Sequence, residues 1–264
     1  TPWHEITSEP LPNTWVSGTG FDYASSRYQD GYGAYGSEQS RRRGFQYESK
    51  RVEGVESMQP WTQSQAGDQQ VAPHERLFVD HERKIWFAKP DYWIVSDRLL
   101  GKGRHLAESL FHFQASATCD VEPGDNTIRT ANGQAGLTIM PSSTADLQVR
   151  IVSGQKDPLQ GWVPAGWGHH RPAPVAIYSV EQQLPVAIDT VLFPYPRDQA
   201  PSLSVEPLTV EEEGEHVPPW EASALCLQID DQRDYYLVAH ERRALRRGGP
   251  LVSDAQAVLV RCNG

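Results

Sequence analysis

At 264 residues the chain is long enough to bury a full hydrophobic core, so core size does not limit its class. Lys and Arg total 24 against 34 Asp and Glu, a net charge of -10, which excludes a broad cationic face for duplex nucleic acid. By itself that balance does not favour a polyanionic glycan either, and only local basic patches could offset it. No apolar run approaches the ~18 residues of a membrane-spanning helix, and the opening TPWHEITSEP lacks the basic-then-apolar pattern of a secretory leader.

Residues 1–70 read as a loop-rich lead-in with one or two strands. The stretch GFDYASSRYQDGYGAYGSEQSRRRGFQYESK is dense in Gly, Tyr and Ser. Its Tyr28, Tyr32 and Arg41 could stack on sugar rings and hold carboxylates, or simply pack onto the chain's own sheet. Long ordered loops carry function more often than average.

Residues 84–113 hold three β-rich runs separated by KPD and GKG, which predicts an antiparallel meander. In its middle strand Trp93, Val95 and Asp97 fall on one face and Tyr92, Ile94 and Ser96 on the other. Asn132-Gly133 predicts a two-residue type I′ hairpin turn. Strand-like runs then recur at LQVRIV, VAIYSV, VAIDTVLF, LSVEPLTV, ALCLQI, YYLVAH and AVLVRC, with Pro, Gly and Asp between them. No window keeps a helical apolar period. The expectation is an all-β chain, a large antiparallel double-sheet β-sandwich with long N-terminal loops, forming one domain over 1–264 with its main sheets in 71–264.

Chemistry-bearing patterns are sparse. His74 and His81 are seven apart, as are His105 and His112, and in a strand an odd offset points side chains to opposite faces, so neither pair makes a local metal site. Cys119, Cys226 and Cys262 are odd in number and far apart, which argues against a disulfide framework or zinc knuckle. There is no H-E-x-x-H, phosphate-cradling loop or nucleophile elbow. Glu211, Glu212 and Glu213 read as a solvated loop, and Arg242, Arg243, Arg246 and Arg247 as solvated arginines. GWVPAGWGHHRPAPVAIYSV (161–180) gathers Trp162, Trp167, His169, His170 and Arg171 on an otherwise acidic chain. It reads as a loop leading into a core strand, whose tryptophans either cap the sandwich or line a glycan cleft.

Three blocks in order carry a resemblance: NTWVSGTGFDYASSRYQDGYG, then HERLFVDHERKIWFAKPDYWIVSDRLLGKGRHLAESLFHF, then GWVPAGWGHHRPAPVAIYSVEQQLPVAIDTVLFPYP. Together they resemble the C-terminal β-sandwich region of heparinase II/III-like polysaccharide lyases. The resemblance implies bacterial enzymes, periplasmic or secreted, that cleave uronate-containing glycans by β-elimination. It also implies an N-terminal helical toroid, on the same polypeptide, that carries the proton-transfer residues. This chain is then expected to hold no catalytic residue and to brace or complete the glycan cleft. The candidate glycan-contacting set is Tyr28, Tyr32, Arg41, His74, Arg76, Trp162, Trp167 and His169. The family's H-N-T segment is met here by Pro12-Asn13-Thr14, so neither a metal nor a cofactor is expected. The expected partners are an acidic polysaccharide and the toroid, with neither nucleic acid nor membrane. A stand-alone carbohydrate-binding module and a structural or interaction domain are the alternative readings.

Overall fold

The computed structural model describes residues 13–28, 79–122, 126–142, 146–240 and 243–262. Tyr32, Arg41, His74 and Arg76 lie outside the described residues. In chain order the first strands are β1 (Asn13–Ser17), β2 (Phe21–Tyr28), β3 (Val79–Ala88), β4 (Tyr92–Gly101), β5 (Arg104–His112), β6 (Thr118–Val121), β7 (Ile128–Asn132) and β8 (Ala135–Ser142). There follow β9 (Gln148–Val152), β10 (Gln155–Lys156), β11 (Leu159–Gln160), β12 (Trp162–Gly166), β13 (His169–Pro172), β14 (Val175–Gln183) and β15 (Val186–Pro196). The last strands are β16 (Leu203–Leu208), β17 (Val210–Glu212), β18 (Glu215–Val217), β19 (Ala222–Ile229), β20 (Gln232–Ala239), β21 (Arg246–Gly248), β22 (Leu251–Ser253) and β23 (Ala257–Cys262). The described residues contain no helix, and every strand pair is antiparallel, as the alternating, turn-punctuated sequence requires.

An eight-stranded sheet in the order β1-β2-β3-β4-β15-β8-β7-β6 forms the centre of the architecture. Strand alternation sends Tyr92 and Ile94 of β4 and Val191 of β15 to one face. There they pack with Leu225, Leu227, Tyr236 and Val238 from the sheet β16-β19-β20-β23. Val186 and Ile188 of β15 point the other way, onto Ala176, Tyr178 and Val180 of β14 in the sheet β5-β14-β9. The outer face of β19-β20 is covered in turn: Ala222, Ala224 and Leu237 meet Val210, Val217 and Leu251 of the sheet β18-β17-β21-β22. Sandwich packing thus repeats, with the large sheet clasped on both faces and β19-β20 buried on both sides.

Three local expectations change. Only β3 and β4 pair as a hairpin; β5 pairs with β14 across from the large sheet, because β15 occupies the free edge of β4, with Val186 opposite Leu99 and Asp189 opposite Ser96. The β7-β8 turn has Gly133 and Gln134 at its centre, since Asn132 pairs with Ala135. Gly133 has φ +64°, and a single positive φ at the first central residue is the type II′ pattern rather than I′. Finally, Glu211 and Glu212 lie in β17, and Arg246 is fully buried with its Nε 3.0 Å from Glu212 Oε2. A guanidinium enclosed between sheets needs a carboxylate, and the acidic run supplies one.

Candidate functional site

The tetrad His81-Glu82-Arg83-Lys84 in β3 is divided by the period of the strand: His81 and Arg83 face one side of the large sheet, Glu82 and Lys84 the other. Each pair meets a partner from β4, whose Asp97 and Arg98 divide in the same way.

On the first face His81 Nε2 lies 2.6 Å from Asp97 Oδ1. Arg83 donates from Nε to Asp97 Oδ1 at 2.7 Å and from Nη2 to Oδ2 at 2.8 Å, a two-point grip on one carboxylate. Burial pushes the Asp97 carboxyl up, but the hydrogen bonds from His81 and Arg83 outweigh it and hold the group below its ordinary value. Tyr28 stands opposite His81 in the β2-β3 register and shares this face. Further along, Phe87 and Trp93 stack with ring centroids 4.3 Å apart, and exposed Trp15 stands on β1 opposite Ala24. Lys89 Nζ reaches Asp22 Oδ1 at 2.7 Å near the end of the same strands. The small sheet β5-β14-β9 covers the β15-β8-β7 half of this face. The β1-β4 half is covered by no other sheet among the described residues. Along it Val95 and Asp97 are buried, Phe87, Trp93 and His81 are half-buried, and Trp15 and Arg83 are exposed, so rings stand beside fixed charges, a mix suited to carbohydrate.

The opposite face is closed. Lys84 is fully buried and donates from Nζ to the carbonyls of Ala239 at 2.9 Å and His240 at 3.2 Å. Glu82 Oε2 lies 3.2 Å from Lys84 Nζ and 3.0 Å from Arg98 Nη2. Burial pushes Glu82 up, but His240, Lys84 and Arg98 together hold it at about 2. Burial draws Lys84 down to about 8 and His240 to about 4. Asp189, on this face of β15, is pushed by burial to about 6, against the neighbouring Ser96 and Ser223 hydroxyls. These groups lock the large sheet onto β19-β20, with Glu82 alone of them half-buried.

Of the expected glycan-contacting residues that lie among the described residues, Tyr28 alone stands on the β1-β4 half of the first face. Trp162, Trp167 and His169 lie on a separate hairpin, β12-β13, which replaces the expected loop. Trp162 is half-buried, and its Nε1 donates to Gln155 O at 2.8 Å, whereas Trp167 and His169 are exposed. Sequence reasoning missed His81, Arg83 and Asp97. The available signal was H-x-R in β3 facing an aspartate in β4, obscured by reading His81 against His74. Among the described residues, no group of three or more His, Cys, Asp or Glu could hold a metal, and no helix is long and apolar enough to cross a membrane. Cys119, Cys226 and Cys262 are free thiols.

The profile of the family described as heparinase II/III-like, C-terminal, matches residues 31–205. The chain belongs to this heparinase II/III-like C-terminal family. Its fold is similar to part of the heparan sulfate lyase HepC from Pedobacter heparinus, with a TM-score of 0.57 and 14% identity over 87% of this chain and 28% of that one. A heparinase III gene product aligns with a TM-score of 0.49 and 11% identity over 61% of this chain and 24% of that one. A further heparinase III aligns at 0.47 and 11% identity, over 61% and 24% of the respective chains. This heparinase II/III-like chain therefore spans little more than a quarter of the length of the lyase HepC. None of the curated proteins matches it.

Proposed function

We propose that this chain is the C-terminal sandwich of a polysaccharide lyase that cleaves uronate-containing glycans by β-elimination, and that it braces the glycan cleft while a helical toroid on the same polypeptide supplies the proton-transfer groups. The observation that carries the reading is the family match over residues 31–205. In β-elimination a base takes the proton next to the uronate carboxylate, an acid protonates the departing glycosidic oxygen, and a cation or hydrogen-bond donor neutralises the carboxylate. The β1-β4 half of the large sheet, with exposed Trp15 and Arg83, suits the supporting part of this work. Trp15 and the Phe87-Trp93 stack offer planes for sugar rings, and the Arg83-Asp97-His81 group fixes charge at one height on the sheet. Arg83 and His81 both spend hydrogen bonds on Asp97, which supports a bracing role over proton transfer. The proposed place of action is the periplasm or the cell exterior.

The test compares the 264-residue chain alone with the same chain joined to its helical half, following the ultraviolet absorbance of unsaturated sugar ends. Product is expected from the joined protein only. Robust elimination by the chain alone would overturn the division of labour.

A further inference from the structure

The β12-β13 hairpin has a fixed base and a bare tip. At the base, the Gly161 carbonyl accepts from Gly154 N at 2.8 Å and from Ala173 N at 2.9 Å, and the Trp162 indole is pinned to Gln155. Gly161 itself has φ +78°, with backbone of Ser153 and Val152 close against it. At the tip, Gly166 and Gly168 take φ +135° and +72° on either side of Trp167, which is wholly exposed. An indole left entirely in water forgoes the burial that usually places tryptophan in cores, so its position calls for an external surface.

The charge of the hairpin runs against that of the chain. No Asp or Glu occurs between Asp157 and Glu181, although the chain carries -10 overall. His169 faces Gly166 and Arg171 faces Val163 across the pair, so His169 and Arg171 share one side, ~7 Å apart at two strand residues, while His170 takes the other. All three are exposed, and among the described residues none forms an ion pair with Arg171.

We propose that this hairpin is a self-contained grip for an acidic glycan chain. Trp167 stacks on a sugar ring, and Arg171 with His169 donates to the carboxylate or sulfate of the same or the next residue. Trp162 is the pin that holds the grip and makes no contact with the glycan. The occupant is set by charge complementarity: a local cationic, aromatic tip on an acidic protein selects anionic sugars and excludes neutral ones. The grip rests on the lyase reading for its choice of ligand, but it needs no helical half to work.

The experiment measures binding of the 264-residue chain to three immobilised polysaccharides: a sulfated heparin-type glycan, an unsulfated polyuronate and a neutral glucan. The wild-type chain is expected to be retained by one or both acidic supports, sulfated and unsulfated arms telling sulfate from carboxylate recognition, and not by the glucan. Trp167→Ala is expected to weaken that binding about tenfold, the scale of losing an aromatic anchor. Arg171→Ala is expected to weaken it and to flatten its salt dependence. Val252→Ala, an exposed change on β22, is expected to bind as wild type, and circular dichroism confirms folding of each variant. Unchanged affinity in Trp167→Ala, or equal retention on the glucan, overturns the grip. Absence of any binding by the wild-type chain also overturns it, yet leaves the lyase reading standing, because elimination by the joined protein reads that separately.

Discussion

His81 Nε2 reaches diagonally across the β3-β4 pair to Asp97 Oδ1 at 2.6 Å, while Arg83, directly opposite Asp97, closes both carboxylate oxygens from the same strand as the histidine. One buried carboxylate therefore holds a guanidinium and an imidazole in place on this face of the large sheet.

Replacing Asp97 by Asn removes that charge, leaves a single amide oxygen to accept from His81 and Arg83, and sets an NH2 group against the Arg83 Nη2 donor. Arg83 is partly solvated, which moderates the loss, and destabilisation of about 2–4 kcal/mol is expected. Urea unfolding followed by tryptophan fluorescence measures it, and an unchanged midpoint would show that the cluster does not hold β3 to β4.

Tyr92→Phe probes the other face. The Tyr92 hydroxyl donates to Asp234 Oδ2 at 2.5 Å, joining the large sheet to β20, and Asp234 is wholly buried. Gln232 still donates to Oδ1 at 2.7 Å in the variant, so the loss is expected at about 1–3 kcal/mol rather than collapse of the fold. A shifted midpoint with an unchanged denaturant slope would mark it as a lost bond in an intact structure.

Gly161→Ala is expected to be the more damaging single-methyl change. Its φ is +78°, and the new Cβ would lie 2.8 Å from Ser153 Cα and 2.9 Å from Val152 O, both backbone atoms. Conformational strain and overpacking together predict a loss of about 2–4 kcal/mol, read by thermal unfolding.

His240 and Asp189 push stability in opposite directions with pH. Burial lowers His240 from 6.5 to about 4, so over that interval the unfolded chain binds a proton the folded chain refuses, and stability falls as pH falls. Burial raises Asp189 from 3.8 to about 6, so there the folded chain holds the extra proton, and stability falls as pH rises. Asp189→Asn removes only the second effect. Relative to wild type it is expected to gain about 2–3 kcal/mol on going from about pH 4 to about pH 7, measured by urea unfolding across that range. A difference that does not vary with pH would show that the Asp189 carboxyl titrates normally.

Much of the fold was legible because strand alternation and turn chemistry are local. The runs at 148–152, 175–183, 186–196, 222–229 and 257–262 are strands where the apolar patterns placed them. Partnership is not local: nothing within 104–112 says that β5 leaves its hairpin neighbour for β14, since that choice depends on β15, which arrives some eighty residues later. The site was legible in outline only. Asp97 was placed on the correct face of β4, but its partners His81 and Arg83 come from another strand and appear only once the β3-β4 register is fixed. At 161–180 the aromatic and basic content was plain, whereas the pairing of Arg171 with Val163 that makes it a hairpin is not encoded by apolar alternation.

The sheet β16-β19-β20-β23 lies almost wholly beyond residue 205, where the family match ends, yet its Leu225, Leu227, Tyr236 and Val238 fill the space under Tyr92, Ile94 and Val191. A truncation at that boundary would strip one side of the eight-stranded sheet, wet a continuous apolar floor and leave Lys84 without the Ala239 and His240 carbonyls that solvate it. Such an excised piece would clump rather than fold, so the recognisable segment is smaller than the unit that can be inherited, expressed or grafted as a working body.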